Sequence, residues 1–124
     1  MSRAGSGPPT TRMPSRVSEI IRACYRAYET KERQAIEDLL ADDFTFTSPD
    51  DIGIDKATYF ERCWPNSKTM KAINVEKVFE NGDEAFVRYE AELTTGEKFR
   101  NTELFRIEDG KVKEVQVYYG AKTA

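Results

Sequence analysis

The apolar positions of the chain follow two rhythms, one of three to four residues in its first half and one of two residues from Thr69 onward. Val17, Ile20, Ile21, Cys24 and Tyr28 share one face at helical spacing. With Ser15 as a cap, they predict a first helix from about Ser15 to Thr30, with Tyr25 bordering the stripe. A second, shorter helix is predicted from about Glu32 to Ala41, with Ala35, Ile36, Leu39 and Leu40 inward, ending at "ADDF". "FTFTSP" alternates Phe44 and Phe46 with threonines and predicts a strand, stopped by Pro49 and the turn-forming Asp50 and Asp51. "IGI" suits a short edge strand. Asp55 then caps a third helix to about Trp64, with Ala57, Phe60, Cys63 and Trp64 as its apolar side and Pro65 closing it.

Beyond Thr69, the pairs Asn81-Gly82, Thr95-Gly96 and Asp109-Gly110 each signal a hairpin. Ala85, Val87, Tyr89, Ala91 and Leu93 face one way, and Phe86, Arg88, Glu90 and Glu92 the other. In the last strand Val115, Val117 and Tyr119 oppose Glu114, Gln116 and Tyr118. The class is α+β: three helices, then a meander of four long antiparallel strands with one covered face.

The strand containing "KFRNTELFRIE" holds the chemistry. Its apolar face, Phe99, Asn101, Glu103, Phe105 and Ile107, carries a carboxylate at its centre. Among Phe99, Phe105 and the facing Tyr89, Val117 and Tyr119, Glu103 is partly desolvated, which favours its neutral, proton-donating form. The alternative is a structural role, with Glu103 bonded to Asn101 and a tyrosine or reaching solvent at a pocket mouth.

Composition removes other chemistries. The 124 residues contain no histidine, which excludes Ser-His, Cys-His and His-metal arrangements, so neither a metal nor a cofactor is expected. A net charge of -3, with acids and bases interspersed, argues against a nucleic-acid partner. No apolar run approaches the roughly 20 residues of a membrane span. Cys24 and Cys63 read as reduced, buried thiols, consistent with a cytoplasmic location. Residues 1–14, rich in Gly, Pro, Ser and Thr, are expected to form a disordered tail before one domain over 15–124.

"AIEDLLADDFTFTSP", "FERCWP" and "NTELFRIEDGKVKEVQVYYG", in this order, resemble the SnoaL-like and ketosteroid-isomerase-like branch of the NTF2-like superfamily over about residues 16–120. The resemblance implies a cone-shaped, barrel-like curved antiparallel sheet wrapped around three N-terminal helices, an internal pocket and a homodimer formed through the sheet. In ketosteroid-isomerase-like members a tyrosine and a neutral acid hold an oxyanion while an aspartate moves the proton, a worked case of carboxyl tuning. Tyr25 matches the tyrosine and Glu103 the acid, but Ser48 stands at the base position, and a serine hydroxyl without an activator is no base. Asp50 is the neighbouring carboxylate that could replace it. Dehydratase members relying on histidine are excluded, and Arg88 and Arg100 face away from the pocket, against an epoxide-hydrolase set.

Two functions follow. One is a cofactor-independent acid-base catalyst of isomerase, cyclase or lyase type acting on a small apolar or polyketide-like, carbonyl-bearing molecule. Glu103, Tyr25 and Asp50 would be its catalytic residues, within a pocket formed by Tyr28, Phe46, Phe60, Trp64, Tyr89, Asn101, Phe105, Val117 and Tyr119. The other is a non-catalytic ligand-binding or dimerisation module.

Overall fold

The computed structural model describes residues 16–123; the expected tail and the Ser15 cap lie outside them. Helix α1 (Arg16–Thr30) buries Ile20, Ile21, Cys24 and Tyr25. It stops at Lys31, whose φ of 62° is the left-handed geometry that ends helices. Helix α2 (Arg33–Leu39) is shorter than predicted, because Leu40 turns to extended backbone and opens strand β1 (Leu40–Thr47), so that "ADD" is strand. Two carbonyls at that junction, of Glu37 and Leu40, accept from Lys56 Nζ at 2.9 and 3.0 Å, so a tertiary contact caps the helix end.

Helix α3 (Lys56–Arg62) begins as predicted, with the Asp55 side chain accepting from Thr58 N at 2.9 Å. It ends before Trp64: Trp64–Thr69 is a 3-10 turn with Pro65 at its start, where no N–H is needed. Ala57, expected inward, is exposed, and Tyr59 lies half-buried beside Phe60.

The remaining strands are β2 (Ile54–Asp55), β3 (Met70–Asn81), β4 (Glu84–Leu93), β5 (Lys98–Glu108) and β6 (Lys111–Lys122). They form one six-stranded sheet in the order β2-β1-β6-β5-β4-β3. The sheet is mixed: β1 runs parallel to β6, while the other neighbours are antiparallel. It is not closed, since β2 and β3 are edges, so the expected barrel is an open, curved cone.

Register shifts within β3 and β6 bend the sheet around the helices. At one of them only glycine fits: a Cβ on Gly120 would lie 2.1 Å from the carbonyl oxygen of Arg100. The concave face and helices share a core around Ile21, Phe44, Val87 and Val112. The convex face is ion-paired, with Glu76 joining Arg88 and Arg100 at 3.0 and 2.9 Å. Among the described residues no helix is long and apolar enough to cross a membrane.

Candidate functional site

A cavity of about 1020 Å³ lies between the concave sheet face and the helices. Its walls are largely apolar, with Ile36, Leu40, Phe44, Phe46, Phe105 and Val117 among the lining residues. Period-two alternation on β5 delivers Asn101, Glu103 and Phe105 to this space, and cross-strand pairing sets Tyr89 beside Asn101 and Val117 beside Glu103.

Glu103 is the polar centre. Tyr25 Oη donates to its Oε1 at 3.0 Å and Tyr89 Oη to its Oε2 at 2.7 Å. Both tyrosines stand on faces that the periodicity turns inward, and the fold brings their hydroxyls to the carboxyl. Burial pushes the Glu103 carboxyl above its usual range, and the two hydrogen bonds, which favour the ionised form, only partly oppose that rise. The lumen reaches the side chain, which is half-buried. Burial, reinforced by the nearby carboxylate, drives Tyr25 and Tyr89 well above the ordinary tyrosine value. Both phenols therefore serve as donors rather than phenolates.

Asn101 is buried and does not bond Glu103 directly. Its Nδ2 donates to Tyr89 Oη at 3.2 Å, and its Oδ1 accepts from the Gly120 backbone N–H at 3.1 Å. Tyr25 packs on Tyr89 and edge-on to Phe105, with ring centroids 5.2 and 5.8 Å apart, which fixes the hydroxyl's position.

The absent base leaves its own trace. Ser48 is buried and lines the cavity, its Oγ accepting from Asp50 N at 3.1 Å. Tyr119 Oη donates to Asp50 Oδ2 at 2.8 Å. Tyr119, on the strand face expected to be inward, is 56% exposed, so it and the exposed Asp50 form the rim rather than the wall. Beside them Arg62 clasps Asp51 at 2.7 Å.

Phe60 and Trp64 are not among the lining residues. Phe60 lies under the Arg33 guanidinium at 4.6 Å, and Trp64 meets Tyr28 edge-on at 5.2 Å, so both support the wall from outside. Tyr59 takes the inner position instead. It packs on Phe44 and Phe46 at 5.3 Å each, whereas the Ala57-Phe60-Trp64 spacing predicts a different buried face. Tyr28 does line the cavity, its hydroxyl donating to the Cys63 carbonyl at 2.8 Å. Burial raises the Cys24 thiol to about 12 and the Cys63 thiol to about 11, which leaves both unreactive at neutral pH. Among the described residues no cluster of three or more His, Cys, Asp or Glu could hold a metal ion.

Helices followed by a curved, unclosed mixed sheet match the fold of NTF2-like neighbours. The profile of the SnoaL-like domain family matches residues 21–115, and the chain belongs to that family. A search of curated proteins returned no sequence match. Solved structures share the fold. An NTF2-like protein of unknown function from Cytophaga hutchinsonii is 21% identical, with a TM-score of 0.70 over 88% of this chain and 94% of that one. IdmH, a candidate polyketide cyclase from Streptomyces antibioticus, is 20% identical, with a TM-score of 0.69 over 84% and 91%. An LEH-like epoxide hydrolase from M. tuberculosis is 13% identical, with a TM-score of 0.71 over 84% and 82%. At these identities the likeness concerns the fold alone.

Proposed function

We propose that this SnoaL-like domain binds a small, mostly apolar, carbonyl-bearing molecule of polyketide type inside the cone and polarises its oxygen. One observation carries the reading: a half-buried carboxyl, flanked by two tyrosine hydroxyls at 3.0 and 2.7 Å, in a cavity whose walls are mostly apolar. In a low-dielectric pocket a neutral acid and a phenol are donors aimed at an oxygen on which negative charge develops. Asp50 is the group available to move a proton, since it lines the same cavity and its carboxylate is held by Tyr119. The fold-sharing candidate polyketide cyclase supports the ligand class by analogy only. The reading includes a second copy of the chain on the convex sheet face and a cytoplasmic setting.

A non-catalytic pocket is the second reading, favoured by the fact that both Glu103 oxygens already have partners. Native mass spectrometry of protein taken directly from cell extract, for wild type and Glu103→Ala, tests the binding role. We expect a small molecule on wild type that is lost from the variant. Equal retention by the variant, or an empty cavity in both, removes Glu103 from that role. If the bound molecule is returned unchanged after incubation, the second reading holds.

A further inference from the structure

The hydrogen bonds around Glu103 have a direction, and it is set outside the carboxyl itself. A backbone N–H can only donate, so the Asn101 atom 3.1 Å from Gly120 N must be its oxygen. That fixes the amide, and its Nδ2 then points at Tyr89 Oη, 3.2 Å away. Tyr89 is left with its own proton to place, and the acceptor in reach is Glu103 Oε2 at 2.7 Å. Oε2 is thereby held as an acceptor whichever way Glu103 is charged. A proton taken up by Glu103 goes to Oε1, where Tyr25 Oη lies 3.0 Å away.

We propose that Asn101, anchored by the Gly120 bulge, is a positioning residue that makes the chain Gly120, Asn101, Tyr89, Glu103, Tyr25 run one way, so that Tyr25 is the hydroxyl that meets the ligand oxygen. When Glu103 is ionised, Tyr25 donates to it. When Glu103 is neutral, its Oε1–H donates to Tyr25, and the Tyr25 proton, having lost its acceptor, turns into the cavity that Tyr25 lines. No proton crosses the chain in this step; one hydrogen bond reverses. Charges do not compete with the reversal. The groups facing Glu103 are Cys24, Tyr25 and Tyr28 on α1, Tyr59 on α3, Tyr89 on β4 and Asn101 on its own strand, and burial keeps these thiol and phenol groups neutral at pH 7. The inference deepens the proposed function by naming the ligand-facing donor, and it rests on that reading for its use but not for its test.

The test is performed on ligand-free protein, with isotope labels at the Glu side-chain carboxyl carbon and at Tyr Cζ, followed by NMR as pH is raised. We expect the Tyr25 Cζ signal to move in step with the Glu103 carboxyl while the Tyr89 signal stays nearly still. In Asn101→Leu, Tyr89 is free to accept, and both tyrosine signals should follow Glu103. Equal movement of the two tyrosines in wild type overturns the proposal, and so does asymmetry that persists in Asn101→Leu. If Asn101→Leu does not fold, the wild-type comparison decides alone. Failure of ligand binding would leave the asymmetry intact, so the two ideas fail separately.

Discussion

Glu103 holds its proton to higher pH in the folded protein than in the unfolded chain, because burial raises its carboxyl above the ordinary 4.5 and the Tyr89 and Tyr25 hydrogen bonds only partly offset this. Between those two values the native state binds more protons than the unfolded state, so stability falls as pH rises. The favourable contribution is complete below about 4.5 and is lost as pH passes through the raised folded value. Glu103→Gln keeps the shape and cannot ionise. The stability of wild type minus that of Glu103→Gln, measured by urea unfolding, should therefore decline as pH increases from that lower bound. A difference that is flat, or that rises, would mean the tyrosine hydrogen bonds outweigh desolvation and the resting site is a carboxylate. The residue pair itself was legible: an acid on an apolar strand face and a tyrosine beside a helical stripe needed only the two periodicities. That Asn101 reaches Glu103 through Tyr89 was not legible, because a face assignment says which side chains share a cavity but not which atoms meet.

At the scale of elements, the bulge that re-aims the end of β6 depends on the missing side chain of Gly120. A Cβ there would sit 2.1 Å from a backbone oxygen, which has no rotamer with which to retreat. Gly120→Ala should cost about 1–3 kcal/mol, the usual range for overpacking, in urea unfolding. It should also release Asn101, whose Oδ1 accepts from the same residue's N–H. A variant as stable as wild type would show that the bulge is slack. The long strands, the hairpin turns and α1 could be read from the sequence because each follows from local periodicity and turn chemistry. The α2–β1 boundary could not: Leu40 is turned into the strand by its pairing with Val112 and by Lys56 reaching from another helix. The parallel β1–β6 pair, the bulges and the choice of Tyr59 over Ala57 as the inward side of α3 are tertiary decisions of the same kind.

For the whole molecule, the convex sheet face poses the last question. Phe79 pairs with Phe86 across β3 and β4, Phe86 with Leu104 across β4 and β5, and the Phe86 and Tyr118 rings lie 6.5 Å apart. Phe79, Phe86 and Tyr118 are 68%, 46% and 50% exposed, which makes this a contiguous patch rather than scattered surface apolars. Several charges around it bond one another, Glu76 with Arg88 and Arg100 and Arg106 with Glu114, while Glu90 accepts from the Thr123 hydroxyl. Covering such a face leaves these ion pairs together, which lowers the desolvation cost of a charged interface. A second copy brings the same balanced mixture to a two-fold contact, where the patch must complement itself. Wild type should therefore sediment as a dimer at micromolar concentration. Phe86→Glu should sediment as a folded monomer, with unchanged far-ultraviolet circular dichroism, because it buries a carboxylate against its own symmetry mate. The cavity opens on the other side of the sheet, so the monomeric variant should still retain whatever small molecule wild type carries. Loss of that molecule together with the dimer would instead make the cone's curvature, and with it the site, a property of the assembly.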